Sequence, residues 1–250
     1  MTGTPAYVIV GASGGIGSEL CRRLAARGPC KLMVAARDAD KLEALAAELR
    51  TQGAEVVVRP LDTTDPAAVD AAFKEATTAF GAISGAANLC GSIILKPAHL
   101  TSDAEFADAL GVNLFTAFHV LRAAARAMPE GGSVVLMSTV ATKIGLPNHE
   151  TIAAAKGAIN GLVIAAAATY APRGLRVNAV APGLVRTPLS AKLTANEATL
   201  KASTALHPLG RIGEPGDVAE VVAWLLVPET KWVTGQVISI DGGLSSVRAK

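Results

Sequence analysis

A glycine-rich segment near the amino terminus has the composition of a phosphate-binding site. It reads Gly11-Ala12-Ser13-Gly14-Gly15-Ile16-Gly17 and leads directly into a helical pattern. Glycines at this spacing allow a tight turn, let backbone N–H groups approach a pyrophosphate and permit close packing of helix on strand. The positive end of the following helix favours the phosphate charge. The segment therefore predicts a dinucleotide-binding loop with contacts from Gly11, Ser13, Gly15, Ile16 and Gly17.

Two charged residues stand where the adenosine ribose of such a dinucleotide would lie. Arg37 and Asp38 follow the second apolar run of the chain. An acid at this strand end hydrogen-bonds the ribose 2′-hydroxyl of NAD, whereas an arginine pairs with the 2′-phosphate of NADP. Ala36 leaves the first strand-end position without an acid, so the sequence favours NADP over NAD. In the alternatives, Asp38 turns inward and competes, or Arg37 is simply a solvated loop residue.

The elements that must position these residues follow a regular alternation. Strands are predicted at Tyr7–Val10, Lys31–Ala35, Glu55–Arg59, Ile83–Ala87, Ser133–Met137, Arg176–Val180 and Gln236–Ile240. Helices are predicted at Ile16–Arg27, Lys41–Gln52, Pro66–Phe80, Ala104–Met128, Ile152–Ala171 and Gly216–Leu226. This rhythm predicts an α/β fold, a Rossmann-type doubly wound parallel sheet with helices on both faces and right-handed crossovers.

One long stretch, residues 181–215, interrupts the rhythm and contains four prolines, which predicts an irregular segment. Loops of such length inside a compact domain are usually functional. The chain contains no linker, repeat or low-complexity segment that would mark a boundary. Residues 1–250 are therefore predicted to form a single dinucleotide-binding domain.

Composition excludes several classes of function. The formal charge of +2 comes from 23 basic and 21 acidic residues and gives no basic stripe, so no nucleic-acid partner is expected. The amino terminus lacks the pattern of a signal peptide, and the apolar stretch Ile152–Ala171 contains Lys156 and Asn160, which indicates a buried helix and no membrane span. A cytoplasmic protein is expected.

The cysteines predict no chemistry. Cys21, Cys30 and Cys90 are odd in number and show neither metal-ligand nor C-x-x-C spacing, so we interpret them as reduced structural thiols. No metal site is predicted.

From the glycine loop onward, the chain resembles the short-chain dehydrogenase/reductase family over essentially its full length. The family's T-G-x-x-x-G-x-G matches residues 10–17 and its N-N-A-G matches residues 88–91, both in degraded form, while Asp62 matches its adenine-contacting acid. The helix asparagine, the P-G-x-x-x-T motif and the D-G-G motif are intact, at Asn113, at Pro182, Gly183 and Thr187, and at residues 241–243. The resemblance implies cofactor contacts from Asp62, Asn88, Pro182, Gly183 and Thr187.

The resemblance also implies a catalytic set, in which one member is replaced. Thr139 falls at the position of the family's serine, which stabilises the substrate oxygen, with Ser138 as the alternative. Asn113 matches the asparagine that supports a water relay. In the family's Y-x-x-x-K pair, Lys156 matches the lysine that binds the nicotinamide ribose, but Ile152 stands at the tyrosine position. Isoleucine has no exchangeable proton.

Another group must then supply the proton if the protein is an enzyme. His149 lies three residues before Ile152, and its unperturbed pKa near 6.5 suits proton transfer at neutral pH. Glu150 either orients His149 or is a first-turn residue favoured by the helix dipole. His119 is predicted to be a core histidine, and the sequence assigns no role to His99 or His207.

Two principal hypotheses follow. In the first, the chain is an NADP-dependent oxidoreductase acting on a small carbonyl or alcohol, with His149 or a water in place of the phenol. In the second, it binds NADP with little or no dehydrogenase activity, as a scaffold, sensor or oligomer subunit. A different reaction on the same fold is a third alternative. The predicted substrate pocket is apolar, and relatives of this family imply a homo-oligomer, a dimer or tetramer.

Overall fold

The structure is a computed structural model, and it describes residues 3–247. Its centre is a sheet of parallel strands: β1 Ala6–Val10, β2 Lys31–Ala36, β3 Glu55–Pro60, β4 Gly85–Asn88, β5 Gly132–Met137, β6 Leu175–Pro182 and β7 Val237–Ile240. The strand order is β3-β2-β1-β4-β5-β6-β7. The chain reverses direction across the sheet between β1 and β4, and the loops that follow these strands meet at the carboxyl edge.

Helices cover both faces of the sheet. They are α1 Gly15–Ala26, α2 Ala39–Thr51, α3 Pro66–Phe80, α4 Asp103–Leu110, α5 Thr116–Ala127, α6 Glu150–Tyr170, α7 Ala191–Thr194, α8 Glu197–Leu206 and α9 Pro215–Leu226. One core contains buried side chains of α3, α5 and α6, and the other contains those of α1, α2 and α9. Neighbouring β1 residues Val8 and Ile9 enter opposite cores, as the two-residue period of a strand requires. The predicted doubly wound sheet is confirmed.

The prediction of one helix over Ala104–Met128 is wrong. Helices α4 and α5 are separated by a π-helical turn at Gly111–Phe115. Within this turn the Asn113 side chain donates to the Ala109 carbonyl oxygen at 2.9 Å, four residues back. A π turn of this kind inserts one residue into the helix and redirects a side chain, often at a functional site.

The prediction of an irregular stretch over residues 181–215 is also wrong in part. Strand β6 continues to Pro182, and helices α7 and α8 occupy the middle of the stretch. The Asn196 side chain caps α8 by accepting from Thr199 N at 2.9 Å. Neither α7 nor α8 contributes a fully buried residue, so the apolar periodicity that reveals a helix in sequence is weak here.

Helix α6 forms the predicted buried helix, beginning at Glu150. The segment Glu150–Arg173 is long and apolar enough to span a membrane by length and composition alone. Its inward side chains, among them Ile159 and Val163, pack in the core on the face shared with α3 and α5.

Helix α1 packs against the end of β1 at Gly17. A Cβ atom at this position would overlap the Gly11 carbonyl oxygen, so α1 can start where it does only with glycine. At Gly111 the backbone is helical, with φ −53° and ψ −55°, and a Cβ atom would have no neighbour within 4 Å.

We expect Gly17→Ala to lower the free energy of unfolding by about 1–3 kcal/mol because the added methyl group must displace backbone atoms. Gly111→Ala is the matched control and should raise it by about 0.5–1 kcal/mol, since alanine reduces the freedom of the unfolded chain. Urea denaturation measures both variants. Equal stabilities would contradict the packing of α1 described above.

Candidate active site

The glycine loop connects β1 to α1 at the carboxyl edge of the sheet. Gly11 adopts a left-handed φ of +83°, and the N–H groups of Gly11 and Ala12 both donate to the Ala35 carbonyl oxygen, at 2.8 and 3.1 Å. The first turn of α1 then begins at Gly15, and Gly14 in the cap position supplies no side-chain hydrogen bond. First-turn N–H groups have no acceptor within the helix. The loop therefore presents backbone donors that an anionic phosphate satisfies.

The loop after β6 lies against this glycine loop. A Cβ atom at Gly15 would be 3.2 Å from Thr187 Cγ2 and 3.3 Å from Pro188 Cδ. Gly183 N donates to the Ile240 carbonyl oxygen at 3.0 Å, which joins this loop to the end of β7. The structure therefore brings together the glycine loop and the Pro182–Thr187 segment, two predicted cofactor-binding segments that are far apart in the sequence.

The two charged residues that follow β2, Arg37 and Asp38, have different environments. Arg37 is exposed. The Asp38 carboxylate caps α2, accepting from Lys41 N at 3.1 Å and pairing with Lys41 Nζ at 2.7 Å. These hydrogen bonds from Lys41 hold the pKa of Asp38 below its usual value. Asp38 is thus directed toward its own helix, and the alternative in which it turns inward is not what the structure adopts.

Asp62 and Asn88 both use their side chains to shape loops. Asp62 accepts from the backbone and hydroxyl of Thr64 at 2.9 and 2.8 Å. These bonds, with a smaller contribution from the nearby Arg37 charge, lower the pKa of Asp62. Asn88 is buried, donates to Thr116 Oγ1 at 3.1 Å and accepts from Cys90 N at 3.2 Å. Direct cofactor contacts by Asp62 and Asn88 stay predictions.

Asn113 sits inside the π turn with no exposed surface. Its Nδ2 donates to Ser92 Oγ at 2.9 Å as well as to Ala109, and its Oδ1 accepts from Ser92 N at 3.1 Å. Sequence reasoning missed Ser92. Its position directly after the degraded N-N-A-G segment was the available signal. The reciprocal bonds fix the chain after β4 against the π turn.

Lys156 is the most unusual charged group of the site. It is 4% exposed, and burial lowers the pKa of its ammonium to about 8. Its Nζ donates to the Cys90 carbonyl oxygen at 3.4 Å, a long contact. A Cβ atom at Gly91 would stand 3.3 Å from this Nζ and 3.1 Å from Asn113 Oδ1. Gly91 thus keeps open the space where the ammonium and the amide meet.

The two hydroxyls after β5 have different environments. Ser138 is buried and donates to Asn160 Oδ1 at 2.6 Å, while Asn160 Nδ2 donates to Thr142 Oγ1 at 3.0 Å. Ser138 therefore ties β5 to α6. Thr139 Oγ1 accepts from Ala141 N at 3.4 Å, which leaves its hydroxyl hydrogen available for donation. Of the two alternatives, the geometry favours Thr139, because its hydroxyl hydrogen has no acceptor among the described residues whereas that of Ser138 is used.

Ile152 and His149 lie at the start of α6. Ile152 is buried in the first turn, one turn before Lys156. His149 is the N-cap residue, half-buried, with Nδ1 2.8 Å from the Pro147 carbonyl oxygen. A carbonyl only accepts, so Nδ1 carries the proton and Nε2 is the nitrogen left for other work. Among the contacts of residues 3–247, none joins His149 to Thr139 or Lys156.

The loop before His149 is fixed by a hydrogen bond from the segment after β4. Asn148 has a left-handed φ of +64°, and its carbonyl oxygen accepts from Lys96 N at 2.9 Å. Lys96 Nζ in turn reaches both Glu105 oxygens, and this pairing, ahead of hydrogen bonds from Ser102, lowers the pKa of Glu105 to about 2. Glu150 is exposed in the first turn of α6, where the helix dipole favours a negative charge.

Two other histidines lie on α5 and at the end of α8, and Cys90 takes part in the site through its backbone. The prediction of a core histidine at His119 is wrong, because this residue is half-buried on α5 with Nδ1 3.1 Å from the Thr63 carbonyl oxygen. His207, to which the sequence assigned no role, is buried beside Gly183. Cys21, Cys30 and Cys90 are free thiols. Within residues 3–247 no cluster of three potential metal ligands occurs.

Known proteins are similar to this chain over nearly its whole length. Residues 11–245 match the family model described as enoyl-(acyl carrier protein) reductase. Galactitol 2-dehydrogenase (L-tagatose-forming) of Cereibacter sphaeroides is 37% identical over 240 residues, which are 94% of this chain and 92% of the relative. Cyclohexanol dehydrogenase of an Acinetobacter strain is 32% identical over 244 residues, covering 96% of this chain and 94% of the relative.

Solved structures are also similar to this chain over nearly its whole length. A short-chain dehydrogenase/reductase from Mycobacterium ulcerans superposes with a TM-score of 0.92 at 30% identity, covering 98% of this chain and 91% of the other. A single-residue variant of actinorhodin polyketide ketoreductase, solved with NADPH, gives a TM-score of 0.91 at 28% identity, with 98% of each chain covered. Since sequence and structure agree over nearly the whole length, this chain belongs to the short-chain dehydrogenase/reductase family.

Proposed function

We propose that this protein is an NADP(H)-dependent oxidoreductase that acts on a small, apolar carbonyl or alcohol. The observation that carries the proposal is the buried ammonium of Lys156, whose long contact to the Cys90 carbonyl leaves donors to satisfy. Ribose hydroxyls of a bound dinucleotide are suitable acceptors. Two relatives, galactitol 2-dehydrogenase and cyclohexanol dehydrogenase, are named for reactions of alcohols, which supports the alcohol or carbonyl chemistry; of the two alcohols, cyclohexanol is the mainly apolar one.

The choice of NADP rests on Arg37. Its guanidinium is exposed beyond β2, while the neighbouring Asp38 carboxylate is occupied with the α2 cap. A guanidinium offers a phosphate two donors in a fixed geometry. The residues that would hold the cofactor are Gly11, Ser13, Gly15, Ile16, Gly17, Arg37, Asp62, Asn88, Lys156, Pro182, Gly183 and Thr187.

NADPH should bind about ten- to a hundredfold more tightly than NADH, because the 2′-phosphate adds charge-assisted hydrogen bonds from Arg37. Arg37→Ala should remove this difference and leave NADH affinity nearly unchanged. Calorimetry measures both cofactors, with Arg126→Ala on the outer surface of α5 as the charge-matched control. A preference for NADH that persists in Arg37→Ala would mean that Asp38 governs the site.

Burial of the Lys156 ammonium carries a stability penalty at neutral pH, because desolvation disfavours the charged form. Its pKa falls from 10.5 to about 8 on folding, which corresponds to about 3 kcal/mol at most. The folded state loses its proton first as the pH rises, so the penalty is complete below pH 8 and declines between about pH 8 and 10.5.

Lys156→Met should therefore raise the free energy of unfolding at pH 7 by about 1–3 kcal/mol, and this gain should shrink near pH 10. The same variant should weaken NADPH binding about ten- to a hundredfold because the ribose loses a charged donor. Urea denaturation and calorimetry measure the two effects, and Lys74→Met on α3 is the control. A destabilised variant with unchanged cofactor affinity would assign Lys156 to structure.

In the proposed reaction, NADP(H) supplies or accepts a hydride when bound. In the direction of reduction the substrate oxygen then needs hydrogen-bond stabilisation and a proton, and in the direction of oxidation the alcohol gives up that proton to the same group. Thr139 has a hydroxyl hydrogen to donate, but a hydroxyl is too weak an acid to supply the proton alone. Asn113 and Ser92 hold the loop after β4, and Gly91 leaves room beside the Lys156 ammonium.

We propose His149 as the group that holds the proton. With Nδ1 bonded to the Pro147 carbonyl oxygen, a doubly protonated His149 can donate from Nε2. The Lys96–Asn148 hydrogen bond fixes the backbone on its amino-terminal side. A water is the alternative donor if the imidazole does not reach the substrate.

Ile152 favours a second candidate function, a protein that binds NADP with little or no dehydrogenase activity. Its buried side chain occupies the first turn of α6 and has no proton to exchange. Loss of a general acid lowers a rate by about 10²–10⁴-fold, so weak activity is compatible with either function, and this second candidate would act as a scaffold, sensor or oligomer subunit.

If His149 is the acid, His149→Ala should lower turnover of an active carbonyl substrate by on the order of 10² while NADPH affinity stays nearly unchanged. Ile152→Tyr should then add little, since the added ring crowds the histidine. A panel of ketones and aldehydes assayed at pH 6–8 measures both variants, with His99→Ala as the control and circular dichroism to verify folding.

If the site has no acid, the pattern reverses. His149→Ala is silent, and Ile152→Tyr raises activity from near zero because Thr139, Asn113 and Lys156 are already in place around the restored phenol. A silent His149→Ala in an active wild-type protein would rule out His149 as the acid.

We further propose a cytoplasmic homo-oligomer, a dimer or tetramer. The outer face of α6 consists mainly of small residues and Ile164, which is 61% exposed. Phe115, the last residue of the π turn, and Phe118 on α5 are about half exposed. Small residues allow two helices to pack closely, so this apolar surface is suited to a second copy of the chain.

A further inference from the structure

The segment that carries α7 and α8 is attached to the body of the protein chiefly at its two ends. Between Ser190 and His207 no residue is fully buried. At the amino-terminal end, Ser190 is buried and donates to the Val185 carbonyl oxygen. At the carboxyl-terminal end, His207 is 4% exposed. Buried polar side chains therefore hold both ends of an otherwise superficial segment, residues 190–207.

His207 uses both ring nitrogens within the protein. Nδ1 lies 2.6 Å from the Ser203 carbonyl oxygen, one turn back in α8, and Leu184 N donates to Nε2 at 3.3 Å. Since the first partner only accepts and the second only donates, the ring is neutral with its proton on Nδ1. The imidazole thus joins α8 to the loop after β6 through two hydrogen bonds of opposite direction.

The contact with that loop is as close as packing allows. A Cβ atom at Gly183 would lie 2.5 Å from His207 Nε2, so the ring rests on the glycine backbone. Two residues later, Leu209 N donates to the Gly242 carbonyl oxygen at 3.0 Å. The Gly183–Leu184 backbone belongs to the same loop as Thr187, which touches the glycine loop at Gly15.

From these contacts we infer that His207 is a positioning residue that couples α8 to the loop flanking the proposed cofactor site. Ordering of the Pro182–Thr187 loop by a cofactor would be transmitted through Leu184 N to the His207 ring and, because His207 is the C-cap residue of α8, through its backbone to the helix. The contact of Nδ1 with the Ser203 carbonyl oxygen orients the ring. Helix α8 presents Leu206 at its end and Leu209 follows, 51% and 74% exposed, so the coupled segment carries apolar surface suited to cover an apolar substrate. The coupling rests on the proposed NADP(H) binding.

Two substitutions separate the two hydrogen bonds of the ring. The amide oxygen of His207→Gln falls near the position of Nε2 and can accept from Leu184 N, whereas the amide nitrogen of His207→Asn falls near Nδ1 and serves only Ser203. His99→Asn, on an exposed histidine, is the matched control. Hydrogen–deuterium exchange of the wild type and the three variants, with and without saturating NADPH, reads the coupling without an assay of activity.

NADPH should slow exchange of both the Pro182–Thr187 loop and α8 in the wild type, in His207→Gln and in His99→Asn. In His207→Asn it should slow exchange of the loop alone. Even without cofactor, amide exchange of Leu184 and α8 should be on the order of tenfold faster in His207→Asn, because the partly buried Leu184 N–H has lost its acceptor. Equal behaviour of the Gln and Asn variants would overturn the inference.

The outcomes also separate this inference from the proposed function. If NADPH changes the exchange rate of no segment, the proposal of cofactor binding fails. The comparison of the two His207 variants without cofactor still tests whether the His207 side chain joins α8 to the loop after β6. If His207→Asn does not fold, the imidazole nitrogen resonances of the wild type decide. A ring protonated on Nδ1 and unprotonated on Nε2 supports the two hydrogen bonds described for His207, and a proton on Nε2 contradicts them.

Discussion

The buried ammonium of Lys156 is the constraint around which the carboxyl edge of the sheet is arranged. Among the described residues its hydrogen-bond partner is a single carbonyl oxygen, that of Cys90. Gly91 places no side chain between the Lys156 ammonium and the Asn113 amide. The π turn positions Asn113 on the other side of this space. A protein gains no stability by such burial. The arrangement makes sense as a site that binds oxygen atoms of a ligand.

The architecture could be predicted because its signals are local. Helix α3 spans the predicted residues Pro66–Phe80, since a proline at its start and Gly81 after its end both mark the boundaries. Most strands follow from short runs rich in β-branched residues, which need no knowledge of their neighbours. Strand β4, which reads Gly-Ala-Ala-Asn, has no such residue and begins two residues after its predicted start. The glycine loop was also readable, because its turn, its helix and the preceding strand are contiguous in the chain.

Features that depend on contacts between distant segments could not be predicted. Within the π turn Asn113 bonds Ala109 and Ser92 at once, and the second of these partners lies outside the helix, 21 residues earlier in the chain. Helices α7 and α8 have no buried face to give them a period. His207 had no context in sequence because its partners, Gly183 and Leu184, are joined to it only by folding. Choosing Thr139 over Ser138 likewise required Asn160.

The cap that Asp38 forms on α2 bears on how readily this fold can exchange one dinucleotide for another in evolution or by design. A carboxylate already stands beside the proposed 2′-phosphate site, yet recruiting it for a ribose diol would uncap the helix and cost about 1 kcal/mol. An acid introduced at Ala36, the last residue of β2, would leave the cap intact. A change of preference from NADP to NAD is therefore less costly through a new acid at Ala36 than through Asp38, the acid already present.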